Sequence, residues 1–134
     1  MINVNSKKHI LVIDDEEEIR FLLETKFFKL GYQVSVAATG LQAMQKIKSG
    51  SKYDLIICDL KMPKMNGIEF YLESQKLDPN VQFLLITGQP DREKLLKAMK
   101  NGVVNIMLKP VKHSDIVEKI IQLIGNPNRE PLSA

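Results

Sequence analysis

His9-Ile10-Leu11-Val12-Ile13-Asp14-Asp15 sets an apolar run of strand length directly against two carboxylates. The same arrangement returns three times. Asp54–Cys58 runs into Asp59, Phe83–Ile86 into Thr87, and Asn105–Leu108 into Lys109. Runs of this length, rich in β-branched residues, read as buried strands. Between them lie segments of helical period, so the chain reads as successive βα units around a parallel sheet. In such a sheet the carboxyl ends of the strands form the crevice where ligands bind. The polar residues that end the runs therefore converge on one pocket.

Outward from these runs the remaining elements fall into place. A helix over about 16–30 carries Ile19, Leu22, Leu23, Phe27 and Leu30, and Gly31 stops it. Gln33–Ala37 is the second strand, and Gly40–Ser49 a short helix with Leu41, Met44 and Ile47 on its apolar side. The third strand, Asp54–Cys58, is apolar without alternation, as expected of a strand buried on both faces. After the loop 61–67 a helix turns Ile68 and Leu72 inward. Pro90 suits the first position of the next helix, which carries Leu95, Leu96 and Met99 and ends at Gly102. Ser114 is the expected N-cap of the last helix, with Asp115 in its first turn and Ile116, Val117, Ile120, Ile121 and Ile124 on its apolar face. The expected division is an N-terminal extension at 1–8, one domain at 9–125, and a tail or linker start at 126–134.

Composition narrows the classes. At 134 residues, 44% hydrophobic and 26% charged, the chain is an ordinary globular domain. A net charge of +3, with basic and acidic residues interspersed, gives no argument for direct nucleic-acid or membrane binding. The start lacks the apolar stretch of a signal peptide, and no run approaches the roughly 20 residues of a membrane span. Cys58 is the sole cysteine, so no internal disulfide forms. A cytoplasmic setting is expected.

Each candidate residue has an ordinary explanation. Asp14 and Asp15 open the acidic run 14–18 at a helix start, where complementing the macrodipole accounts well for Glu16, Glu17 and Glu18 but not for two carboxylates set directly against a strand end. Asp59 can be a turn-former. Thr87 fits strand propensity, and Lys109 fits a surface lysine held extended by Pro110. Taken together they carry more. Clustered, partly desolvated carboxylates repel unless a cation is present, and Mg²⁺ suits a site that offers one or two carboxylates and room for water. An aspartate can be a covalent nucleophile toward phosphorus, and phosphoryl transfer needs positioning and charge neutralisation, which Mg²⁺, Lys109 and Thr87 can supply.

Four pieces, Leu11–Glu16, Asp59–Gly67, Ile86–Gly88 and Leu108–Pro110, resemble in order and spacing the receiver domain of bacterial two-component response regulators. The resemblance covers about 9–125. It implies a flavodoxin-like, doubly wound α/β fold with five parallel strands in the order 2-1-3-4-5 and five helices. It implies that Asp59 is the phosphoacceptor, served by a histidine kinase or histidine phosphotransfer protein. Asp15, Asp59 and the Lys61 backbone carbonyl would ligate Mg²⁺, with Asp14 acting mainly through water. Thr87 and Lys109 would bind the phosphoryl group, and the side chains of Lys61 and Gln89 would border the path of the hydrolytic water. Such a protein catalyses only its own phosphorylation and dephosphorylation, and it reports to a downstream protein or an attached output domain.

Three positions depart from the family's pattern. Ile106 stands where an aromatic residue is usual, Val111 where phenylalanine is common, and Val103 where alanine is favoured. All affect the face formed by the fourth helix, fifth strand and fifth helix. That face also carries Arg92, Lys94, Lys97, Lys100, Lys112 and Lys119, which are either a solvated surface or a docking site for an acidic partner. A homodimer through it is a further arrangement open to the chain. Cys58 reads as a small core residue, His9 and His113 as surface residues, and Met62, Met65, Met99 and Met107 as packing residues. The competing readings are a binding module that keeps the fold without phosphate control, and a phosphatase of the haloacid dehalogenase type. The latter places its nucleophile first in an Asp-x-Asp motif, whereas Asp59-Leu60-Lys61 lacks the second aspartate. A P-loop or dinucleotide-binding enzyme is excluded by the missing glycine-rich loop.

Overall fold

In a computed structural model, which describes residues 7–88 and 91–128, strands and helices alternate along the described chain. They are β1 (His9–Ile13), α1 (Glu17–Leu30), β2 (Gln33–Ala37), α2 (Gly40–Lys48), β3 (Leu55–Asp59), α3 (Gly67–Leu77), β4 (Gln82–Thr87), α4 (Arg92–Lys100), β5 (Asn105–Leu108) and α5 (His113–Ile124). All pairings are parallel and the order is β2-β1-β3-β4-β5. The doubly wound arrangement expected from the sequence is the one observed.

Alternation along the strands decides which helices cover which face. Ile10, Val12, Leu55, Ile57, Leu84 and Ile86 pack with Phe27 of α1 and with Ile116 and Ile120 of α5. Leu11, Ile13, Ile56, Cys58, Phe83 and Leu85 pack on the other side with α2, α3 and α4, through Ala43, Met44, Ile68, Phe70 and Ala98. β1, β3 and β4 are thus buried on both faces, which is why their sequences are continuously apolar.

Several local expectations are corrected. The third strand runs Leu55–Asp59, so Asp59 is its last residue rather than the first beyond it. Asp54 instead takes the His9 N–H on its Oδ2 at 2.8 Å. The fourth helix begins at Arg92, capped by Asp91, whose side chain accepts from Glu93 and Lys94. Pro90, expected at its first position, lies outside the described residues. The last helix begins at His113, with Lys112 in the N-cap position and no side-chain cap, so Ser114 is not the cap. The Lys112 carbonyl already accepts the Ile116 N–H at 3.1 Å, which starts the helix before Ser114.

Helix phases differ too. On α3 the buried residues are Gly67, Ile68, Phe70 and Ser74, while Leu72 is exposed. On α4 Ala98 is buried, and Leu96 and Met99 face solvent, so Met99 is not a packing residue. Leu22 and Leu30 of α1, Leu41 of α2 and Ile121 of α5 are likewise exposed.

The segment read as the start of a tail is fastened at its root. Asn128 bridges antiparallel to Lys7, and the Pro127 carbonyl accepts the Lys8 N–H at 2.8 Å. The buried Tyr32 donates its hydroxyl to the Gly125 carbonyl at 2.7 Å, and the Lys8 ammonium donates to the Ile124 carbonyl. The C-terminal end of α5 is thereby held to the start of the sheet.

His9 is not simply a surface residue. Its ring lies 4.5 Å from that of Tyr53, and its Nε2 is 2.7 Å from the Ser35 hydroxyl. Burial holds its pKa below the ordinary value, against a smaller upward pull from neighbours that include Asp54. The folded state therefore binds fewer protons than the unfolded chain near the ordinary histidine pKa of about 6.5. Stability should be fully present above that value and fall as pH drops from it toward the depressed folded pKa. A His9→Gln variant is expected to show a shallower loss between about pH 7 and 5 in urea melts than the parent. Equal slopes would remove His9 from this role.

Candidate functional site

Strand register assembles the site. Ile13 pairs with Cys58 and Asp59 with Ile86, so Asp14 and Asp59 stand side by side at the ends of β1 and β3. Ile86 pairs with Met107, which puts Thr87 one residue and Lys109 two residues beyond that level. The polar residues ending the strands surround one cavity of about 550 Å³, lined by Asp15, Glu16, Asp59, Lys61, Thr87 and Lys109 among others.

Lys109 ties the site together. Its ammonium lies 3.0 Å from Asp14 Oδ2 and 3.1 Å from Asp59 Oδ2. The peptide bond to Pro110 is cis, and the Lys109 N–H donates to the Thr87 carbonyl at 2.8 Å. Asp59 also accepts the Lys61 N–H on Oδ1 at 3.2 Å. Asp14 is buried below the cavity and accepts the Glu16 N–H on Oδ1 at 2.9 Å. Arg20 donates to the Asp14 backbone carbonyl at 2.8 Å, pinning the β1–α1 turn. Thr87 is buried in the wall of the cavity.

Electrostatics follow from this crowding. Burial pushes the Asp59 pKa up, Lys109 pulls it back, and the Asp14 charge adds to the rise; the result is above the ordinary value. Burial pulls Lys109 down, but the Asp14 and Asp59 carboxylates outweigh it and leave the ammonium above its ordinary value. The neighbouring Cys58 is fully buried on the opposite face, with a thiol pushed well up by burial and then by Asp59 and Asp14. It is a protonated core residue, inert as a nucleophile.

Carboxylate oxygens of Asp14, Asp15, Glu16 and Asp59 lie within 4.8 Å of one another. This all-oxygen set fits a hard divalent cation that keeps part of its water shell. Glu16 is the member that sequence reasoning assigned only to the helix dipole. The structure brings Asp14, Asp15, Asp59, Lys61, Thr87 and Lys109 together. Gln89, expected beside them, lies outside the described residues.

Removing Lys109 tests the balance. A Lys109→Met variant leaves Asp14 and Asp59 facing each other without a cation in a half-desolvated pocket. Losing one partner of a buried pair costs about 3–5 kcal/mol, and this pocket is open on one side, so about 2 kcal/mol is expected in metal-free urea melts. Added Mg²⁺ should recover most of it. Unchanged metal-free stability would mean that the carboxylates are relieved by other means.

The sequence matches the response regulator receiver domain over residues 10–121. The chain belongs to that family. Receivers are the signalling phosphoacceptors of two-component systems. The chain is 33% identical over 114 residues to Chemotaxis protein CheY of Thermotoga maritima, covering 84% of this chain and 94% of that protein. It is 33% identical over 120 residues to Sporulation initiation phosphotransferase F of Bacillus subtilis, covering 87% and 96%. A CheY-like receiver domain structure from Methanospirillum hungatei superposes with a TM-score of 0.83 at 31% identity, covering 87% of this chain and 93% of that one. Other relatives are longer, and the chain spans only 23% or 34% of their length. Among the described residues, no helix is long and apolar enough to cross a membrane.

Proposed function

We propose that this receiver accepts a phosphoryl group on Asp59 from a phosphohistidine donor, in a reaction that requires Mg²⁺. The observation that carries the reading is Asp59 Oδ2 held by Lys109 at 3.1 Å among acidic oxygens within 4.8 Å of one another. An oxygen of the Asp59 carboxylate forms the new bond to phosphorus. The phosphorus–nitrogen bond to the donor imidazole breaks, and the imidazole leaves with the electron pair. Lys109 shifts from Asp59 to a phosphoryl oxygen, and the Thr87 hydroxyl donates to another. Asp15, Asp59 and the Lys61 backbone carbonyl would hold Mg²⁺, with Asp14 acting through water, and the ion would supply charge neutralisation for the phosphoryl oxygens.

The donor is a histidine kinase or histidine phosphotransfer protein in the cytoplasm. The chain is no general enzyme, since it turns over only its own phosphoryl group. The signal leaves through the α4–β5–α5 face, toward a downstream protein or an output domain continuous with residues 126–134, and homodimerisation through that face belongs to the same reading. Support comes from exposed Leu96, Met99, Val104 and Leu108, which interrupt the basic residues of that face. Ile106 packs half-buried against the core on the α4 side, so the reporting step runs without an aromatic switch.

Intact mass after incubation with acetyl phosphate tests the proposal. One phosphoryl adduct per chain is expected with Mg²⁺ and none in metal-stripped protein, and peptide mapping should place it at Asp59. No adduct even under repeated dosing would leave a phosphate-independent binding module.

A further inference from the structure

A second cavity, of about 230 Å³, lies between the β3–α3 loop and α4. Lys61, Met62 and Thr87 line both this cavity and the acidic one. Leu60, Met62 and Ile68 give it a buried apolar lining. The exposed lysines around it are Lys61, Lys94 and Lys97, and among the described residues no carboxylate lines it.

These three lysines are unbalanced. Among the described residues the ion pairs join Lys76 to Glu73 and Lys109 to Asp14 and Asp59, so none involves Lys61, Lys94 or Lys97. At the start of α4 Asp91 is committed to capping the helix, and Glu93 is exposed, does not line the cavity and forms no ion pair with Lys94 or Lys97. Asn66 has its side-chain oxygen occupied by the Ile68 and Glu69 N–H groups, which leaves its amide N–H groups as donors. A concavity lined by ammonium and amide donors, with like charges that repel one another, is stabilised by an anion. Its volume is below the roughly 300–1,000 Å³ typical of pockets for drug-sized ligands.

We propose that this cavity binds a small oxyanion, of the phosphate or dicarboxylate class, as a site separate from the phosphoryl-accepting pocket. The two sites share Lys61 and Thr87 in their walls, so occupancy of one alters affinity at the other. Without metal the acidic pocket sets four carboxylates against Lys109 and repels anions, which lets the two sites be separated by experiment.

The test is an amide NMR titration of the full chain, stripped of metal on a chelating resin because soluble chelators are themselves polyanions. Inorganic phosphate and succinate are the probes, at constant ionic strength. Saturable shifts centred on Lys61, Asn66, Thr87, Lys94 and Lys97 with either probe are expected. A Lys94→Gln/Lys97→Gln variant should bind about tenfold or more weakly, the loss of one or two charge-assisted hydrogen bonds. A Lys46→Gln/Lys48→Gln variant, altered on α2, should titrate like the parent. Non-saturating shifts spread over all lysines would overturn the proposal. So would shifts centred on Asp14 and Asp59, or a Lys94→Gln/Lys97→Gln variant that titrates like the parent.

Discussion

An Asp59→Asn variant is expected to gain no phosphoryl group from acetyl phosphate and Mg²⁺, while its metal-free stability stays within about 1 kcal/mol of the parent. The substitution keeps shape and removes nucleophilicity, because the amide withdraws the electron density that a carboxylate oxygen offers to phosphorus. It also leaves much of the local geometry in place. The amide oxygen can still accept from Lys109, which lies 3.1 Å from Asp59 Oδ2 and retains Asp14 at 3.0 Å. Two changes in stability oppose each other. The ion pair with Lys109 is lost, but so are the desolvation and the Asp14 repulsion that push the Asp59 pKa up. Stabilisation by Mg²⁺ should shrink as well, since one carboxylate of the acidic group is gone. Intact mass and thermal melts with and without Mg²⁺ read these effects. A phosphoryl adduct on the variant would move the acceptor role to Asp14 or Asp15.

Asp14, Asp59, Thr87 and Lys109 of that pocket were legible in the sequence because each ends an apolar run. Continuous apolar residues in β1, β3 and β4 announce burial on both faces, and a charged residue is then where burial has to stop. Helix phase was less legible. In the nine residues of α4, Leu95, Leu96, Ala98 and Met99 cover more than one side, and the small Ala98 proves to be the buried one. Size and apolarity pointed to Leu96 and Met99, whereas Ala98 is the α4 residue that joins Phe83, Leu85 and Val103 in the core. Glu16 was hidden for another reason, because the helix dipole already accounted for it and only three-dimensional proximity adds it to the acidic group. The clasp of Lys7 and Lys8 onto Pro127 and Asn128 left no local trace, since it joins the two ends of the described chain through backbone groups. Polar backbone pairing of that kind has no compositional signature.

Gly67→Ala is expected to destabilise the domain by about 2–3 kcal/mol, and Gly67→Val by more, for want of space rather than for backbone conformation. A Cβ on Gly67 would stand 2.6 Å from the Asp59 carbonyl oxygen, 2.8 Å from Leu85 Cδ1 and 3.0 Å from Leu60 Cα. Two of these neighbours are backbone at the end of β3, and the Gly67 N–H itself donates to the Leu60 carbonyl at 2.9 Å. The clash is therefore relieved only by moving α3 away from β3 or by displacing the strand end that presents Asp59. Gly40 provides the comparison. Its added Cβ would meet Met65 Sδ at 2.9 Å, also too close but less so than the 2.6 Å at Gly67, and against a flexible side chain that can turn aside. Gly40→Ala should then cost less than about 1 kcal/mol, so the two alanine variants separate a backbone obstruction from a yielding one. Urea melts measure both, and a loss of 2–3 kcal/mol lowers the midpoint by about 1 M or more at the slope of a small domain. Because the obstructed atom is the carbonyl of Asp59, Gly67→Ala should also slow adduct formation under conditions where the variant remains folded. Equal stability of the two variants would show that α3 moves freely against the strand end, and the positioning of Asp59 would then have to come from Lys109 and Lys61 alone.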